Sequence, residues 1–280
     1  MQRLAKWLLS VVVLAISVGT VQAHRYDKDL AEVIKEADSV QNAVDLVQDA
    51  LERKGYEIVL TVNHAAAALS VGLELRPTQL IFARPPAYIE SALLRRSQTV
   101  GIDLPIKILV FEDEDGSIQS RRNPTGYLVD RHDITLHDPV LQKLERVTER
   151  FVMPDNGLIT ISSEQSMDDT VLALQDAIGA TGAFRIPLIL DYGEGRHRNK
   201  PVLIVFGNPN AGTPLMQVSQ EIALDLPQKF LVWEDRFREV HITYNDPFFI
   251  AKRHNVQGQD ERLGNISNAL ANLAAAGAEK

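Results

Sequence analysis

Leu104-Pro105-Ile106-Lys107-Ile108-Leu109-Val110-Phe111-Glu112-Asp113 returns later in the chain as Leu226-Pro227-Gln228-Lys229-Phe230-Leu231-Val232-Trp233-Glu234-Asp235, at an offset of 122. Arg131-His132 returns as Arg253-His254 at the same offset, and Gln48-Asp49-Ala50 returns as Gln175-Asp176-Ala177 at an offset of 127. The chain is therefore a tandem pair of related units. Since the two copies have diverged in different places, their differences become the main guide to function.

Both copies give the same order of elements when read outward from this passage. In the first, Ser39 is a helix N-cap. Val40, Ala43, Val44, Val47, Ala50 and Leu51 follow at helical spacing, and Lys54-Gly55 closes the helix. Strands are expected over 56–62, 79–83 and 106–111, a short helix over 63–69, a helix over 87–98, a hairpin turned at Asp115-Gly116 into 117–122, and a closing helix over 127–132. In the second, Ser166 caps a helix, with Asp168-Asp169 at its positive end. Strands follow over 184–190 and 202–206, with Thr213 as N-cap and Pro214 as first residue of a helix over 214–223. A hairpin pairs 230–233 with 240–244, and 248–254 closes the unit. Residues 139–150 read as a connecting helix and 263–275 as a terminal one. Mixed strands and helices with hairpins predict an α+β protein: two repeated α/β sandwich units with largely antiparallel sheets, packed as a pseudo-dimer about an approximate two-fold axis. The expected division is 1–23 signal peptide, 24–38 lead-in, 39–134 first unit, 135–165 linker helix, 166–256 second unit and 257–280 C-terminal helix.

Residues 1–23 carry the marks of a secretory signal: Arg3 and Lys6 at the start, an apolar stretch over 7–18 and small residues at Val21-Gln22-Ala23. The stretch is shorter than the roughly 20 residues a membrane span needs. With no cysteine, disulfides, thiolate metal sites and a lipid-anchored cysteine are excluded. Cleavage would leave 27 basic against 37 acidic residues, a net charge of −10. That charge repels nucleic acid and anionic lipid. The expectation is a periplasmic or secreted monomer without a membrane anchor after cleavage, its pseudo-dimer internal to one chain.

Two segments offer chemistry. Phe206-Gly207-Asn208-Pro209-Asn210-Ala211-Gly212-Thr213-Pro214-Leu215-Met216 runs from a strand through a glycine-containing turn into a helix. Free backbone N–H groups at such a helix start can hold an anion or carboxylate. The plain alternative is a well-formed strand-to-helix connection, and with no Lys after Gly212 a nucleotide P-loop is excluded. Asn63-His64 lies at a strand end and helix start, where a neutral imidazole can act as base, ligand or hydrogen-bonding group. The first unit keeps this His but has Phe82-Ala83-Arg84-Pro85-Pro86 for the glycine turn. The second keeps the turn but has Asp191 at the His position. This complementary loss predicts one composite site between the units, built from His64 and residues 207–213; the rival reading is independent decay of two dispensable sites.

These residues resemble the family called domain of unknown function 302. The likeness rests on Asn63-His64-Ala65-Ala66, Leu75-Arg76-Pro77 and the 104–113 passage in the first unit. In the second it rests on Phe206 onward, Asp225-Leu226-Pro227 and Tyr244-Asn245-Asp246-Pro247. Departures are Asn63 for an acid, Ala67 for a glycine and the altered turn of the first unit. The resemblance implies an α+β unit able to dimerise and no established reaction.

The expected ligand-binding residues are His64, Asn63, Gly207, Asn208, Gly212, Thr213 and Met216, with Phe206 and alanines 65–68 as apolar lining. The leading reading is a non-enzymatic binding module for a small molecule, with no cofactor. One alternative is an enzyme using His64 as general base and the 207–213 N–H groups to stabilise an anion. Another is a partner-binding protein using Trp233 and the terminal helix. His24, the first residue after cleavage, could chelate copper, but a charged flexible lead-in does not fix a ligand, so no metal is assigned. His132 and His254 are expected to cap helix ends. His137, His197 and His241 show no ligand spacing, and Glu112-Asp113-Glu114-Asp115 reads as a solvated hairpin rather than a calcium loop.

Overall fold

The computed structural model describes residues 34–35, 37–134, 156–193 and 200–279. The expected signal peptide, most of the lead-in, His24 and the connecting helix over 139–150 lie outside them, as do His137 and His197. The first unit contains α1 (Val40–Arg53), β1 (Glu57–Asn63), α2 (His64–Leu69), β2 (Thr78–Arg84), α3 (Ala87–Leu94), a 3₁₀ turn (Gln98–Ile102), β3 (Ile106–Glu112), β4 (Ile118–Arg122) and α4 (Thr125–Arg131). The second contains β5 (Leu158–Ser163), α5 (Met167–Ala180), β6 (Arg185–Asp191), β7 (Val202–Gly207), α6 (Pro209–Val218), a 3₁₀ turn (Gln220–Leu224), β8 (Gln228–Glu234), β9 (Val240–Asn245) and α7 (Pro247–Arg253). Helix α8 (Asp260–Ala278) follows.

Local chemistry sets these boundaries. Ser39 accepts from the Asn42 N–H, and α1 buries Val40, Ala43, Val44, Val47 and Leu51 along one stripe. The helix ends where Gly55 takes φ +81° and Tyr56 N–H reaches back to the Leu51 carbonyl at 3.1 Å. Residues 158–163, expected within the linker helix over 135–165, form strand β5 instead. Leu158, Ile159 and Ile161 gave too short a signal beside the Pro154-Asp155-Asn156-Gly157 breaker, yet β5 pairs along its whole length with β9. Helix α6 begins at Pro209 rather than Pro214, with Asn208 as its N-cap. Thr213 is thus an interior helical residue and not the expected cap; Asn208-Pro209 is itself a cap followed by a proline at the first helical position, where a missing N–H costs nothing.

Both sheets are antiparallel, in the orders β1-β2-β3-β4 and β5-β9-β8-β7-β6, so that β6 to β9 repeat β1 to β4. Alternate residues face opposite ways. Ile81, Ala83, Ile108 and Val110 pack against α1. Ile204, Phe206, Phe230 and Val232 pack against α5 and α8. The other faces, through Leu80, Phe82, Leu109, Leu203, Val205 and Leu231, share one core between the sheets. Each 3₁₀ turn lies on the opposite unit's sheet: 98–102 on β7, β8 and β9, 220–224 on β2, β3 and β4. The layers run helix, sheet, sheet, helix, as expected for the pseudo-dimer.

A buried polar cluster joins the units near the approximate two-fold axis. Arg131 and His132 meet Asp103 at 2.7 and 2.9 Å, and Arg253 and His254 meet Asp225 in the same way. Lys107 bridges both carboxylates at 3.4 and 3.3 Å. Arg131 donates to Asn245 and Arg253 to Asn123, so each arginine crosses to the other unit. His132 and His254 do stand at the C-caps of α4 and α7, but their rings serve the buried carboxylates rather than helix carbonyls. The neighbouring cations hold both Asp103 and Asp225 well below the ordinary carboxylate range, against burial, which pushes the other way.

Candidate functional site

Asn63 ends β1 and its side-chain oxygen caps α2 by accepting from Ala66 N–H, which places His64 at the first turn of the helix. The imidazole is 5 % exposed and faces the second unit. One of its nitrogens hydrogen-bonds to the main chain of Leu226, immediately before the cis peptide of Pro227. Nε2 has no partner, so that bond belongs to Nδ1. Burial lowers the His64 pKa from 6.5 to about 4, only partly opposed by the Leu226 bond. The ring is therefore neutral at pH 7, protonated on Nδ1, with an Nε2 lone pair left over.

His64 lines a cavity of about 790 Å³ between the units, Nε2 itself being buried. His64, Leu60, Val62 and Ala67 line it from the first unit; Phe184, Pro187, Gly207, Thr213, Met216 and Leu226 line it from the second. Helix α8 supplies one wall through Arg262, Ile266, Ala269 and Leu270. Thr213 is fully buried and its hydroxyl also has no partner. Most buried polar atoms in proteins are satisfied, so two orphans on one apolar cavity stand out. Gly207 lets Pro227 pack closely on the second unit's wall: a Cβ there would meet the Pro227 Cβ at 3.1 Å.

The sequence-derived residues thus divide. His64, Gly207, Asn208, Gly212, Thr213 and Met216 all line this cavity, and Asn63 does not, its side chain being committed to the cap. Phe206 is also elsewhere, stacked on Phe230 at 4.7 Å in the outer core, and of alanines 65–68 only Ala67 faces the cavity. The expected anion cradle has few donors to offer. Pro209 lacks an N–H, Asn210 N–H donates to the Asn208 side chain, and those of Ala211 and Gly212 donate to the Asn208 carbonyl. Ile266 and Leu270 lie on the apolar face of α8, but no local pattern says which cavity that face will meet.

The pseudo-symmetric position is filled. Asn63 pairs with Gln79 at the end of β1 as Asp191 pairs with Val202 at the end of β6, so Tyr192, not Asp191, is the counterpart of His64. Both first strands carry a bulge; the offset changes by one before them, because the helix-to-strand turn is one residue longer in the second unit, 181–184 against 54–56. The Tyr192 hydroxyl donates to the carbonyls of Leu104 and Gly101 at 2.6 and 2.8 Å, and Leu104 precedes the other cis-proline. Arg84 lies opposite Glu57 as Gly207 lies opposite Arg185, making Arg84 the counterpart of Gly207 and Glu90 that of Thr213. Arg84 and Glu90 form a two-pronged ion pair at 2.8 and 3.0 Å. The space open on one side of the axis is occupied on the other by a guanidinium, a carboxylate and a phenol.

A further cluster was not visible in the sequence. Asp235, Glu239 and His241 on the β8–β9 hairpin bring one ligand atom each within 4.8 Å of one another. Asp235 also accepts from the Phe237 and Glu239 N–H groups, and the His241 ring packs on Trp233 at 4.7 Å. These bonds close the hairpin by themselves. Trp233 is half-buried and donates to Thr243 at 2.9 Å.

The model of the domain of unknown function DUF302 matches residues 32–151 and again 159–273. The chain belongs to the DUF302 family. A solved DUF302 structure, an uncharacterized conserved protein from Bacillus stearothermophilus, is similar to 43 % of this chain and 97 % of its own, at 16 % identity and a TM-score of 0.39. Among curated proteins, the fluoride-specific ion channel FluC 1 of Brucella suis is 36 % identical over 107 residues, covering 36 % of this DUF302 chain and 42 % of that protein. FluC 1 of Brucella abortus matches at the same identity over 39 % of its length. The chain spans under half the length of these relatives, and the activity they are named for is theirs. Among the described residues, no helix is long and apolar enough to cross a membrane.

Proposed function

We propose that this chain is an exported, non-enzymatic binding module that holds one small, mostly apolar ligand between its two units. The observation that carries the reading is the pair of buried, unpartnered atoms, His64 Nε2 and Thr213 Oγ1, on a single cavity of about 790 Å³. That size and apolar character suit a small organic molecule. An unmet buried polar group costs stability, and a ligand that meets both atoms recovers it. Export rests on residues 1–23. General-base catalysis draws less support, because an imidazole with a pKa of about 4 is a weak base at neutral pH and the α6 N–H groups are already used.

Native mass spectrometry of the protein purified from its own secretory route tests this directly. A mass excess lost on denaturation, and absent from His64→Leu, is the expected result. An apo mass together with no small-molecule binding by the refolded protein would remove the reading.

A further inference from the structure

The cavity also limits what its ligand can be, an inference that rests on the binding reading above. His64 Nδ1 is committed to the Leu226 main chain, so the buried, unpartnered lone pair on Nε2 is an acceptor only. No donor among the described residues reaches it. The Thr213 hydroxyl, also unpartnered, can donate or accept. A ligand bearing only acceptors would satisfy Thr213 and leave Nε2 desolvated.

Anionic ligands are poorly served. Among the described residues, the cations lining the cavity are Arg185 and Arg262. Arg185 is exposed and donates to the carbonyls of Gly182 and Phe184. Arg262 donates to Gln259 and to the Asn210 carbonyl. Both guanidinium groups are thus already engaged, and the α6 N–H groups are spent on Asn208.

The geometry points to a neutral ligand with an apolar body and one O–H or N–H donor, as in a phenol or alcohol, whose proton is received by His64 Nε2 and whose heteroatom is met by the Thr213 hydroxyl.

The probes are 4-butylphenol and its methyl ether, 4-butylanisole, which keeps the apolar body and loses the proton. Each is titrated into full-length protein carrying ¹⁵N-labelled histidine. The expected result is that the phenol binds roughly tenfold more tightly than the ether and shifts the His64 Nε2 resonance, and that His64→Leu removes the preference. Equal binding of the two, or phenol binding with Nε2 unmoved, overturns the donor requirement and leaves the binding module standing. If neither probe perturbs any residue of the cavity, both inferences fall. The wild-type comparison stands even if His64→Leu does not fold.

Discussion

Glu90 and Thr213 stand at the same position of the two units, six residues beyond Arg84 and Gly207. Glu90 is paired and fills its side; Thr213 is unpaired and leaves its side open. The double variant Arg84→Gly, Glu90→Thr should therefore open a second cavity. Calorimetric titration with 4-butylphenol is expected to move from one equivalent toward two, the second tightening when Tyr192→His is added. Arg84→Gly alone strands a buried carboxylate and should cost about 3–5 kcal/mol of stability. A double variant that stays at one equivalent would show that these side chains do not hold the second site shut.

Thr213→Val replaces an orphan hydroxyl by a methyl group of similar shape. Without ligand the variant should be more stable than wild type by roughly 1 kcal/mol, read from urea unfolding midpoints at an unchanged slope. Affinity for the phenol should fall at the same time. A destabilised Thr213→Val would mean that the hydroxyl is satisfied in solution.

The pKa of His64 falls from 6.5 in the unfolded chain to about 4 in the fold, so the unfolded state binds the extra proton in that interval. The neutral ring's share of stability is whole above about pH 6.5 and is lost as pH falls toward 4, on the order of 3 kcal/mol in all. His64→Gln lacks this titration. Unfolding free energies of the two proteins, measured from pH 7.5 to 4, should diverge in favour of the variant as pH falls. Parallel curves would place the imidazole in contact with water.

Asp225 accepts from Arg253 and His254 and meets Lys107 inside the fold. Asp225→Asn leaves these cations short of a counter-charge and is expected to cost about 3–5 kcal/mol, as is Asp103→Asn. Denaturant titration checks both. A cost below about 1 kcal/mol would place the cluster among weak surface pairs.

The duplication was legible because Leu-Pro and Glu-Asp frame a strand whose buried residues on both faces tolerate little change. The antiparallel sheets and the meeting of His64 with residues 207–213 followed from that reading. Other features did not, β5 and the Asp235 cluster among them. The match of His64 to Tyr192 was hidden by one extra residue in the turn before β6, 181–184 against 54–56, since both first strands carry the same bulge. The start of α6 was misplaced because Thr213-Pro214 and Asn208-Pro209 both read as a cap followed by a proline. The wall from α8 depends on how a terminal helix folds back, which no local pattern encodes.

Arg84 and Gly207 differ although the folds around them repeat. In two separate, identical subunits, any substitution that shut one pocket would shut its twin. Joining the units in one chain removes that constraint, so one half can become a rigid buttress with charges locked across it while the other keeps its vacancy. The closed half then fixes the wall positions against which the open half must hold its shape, before any guest arrives.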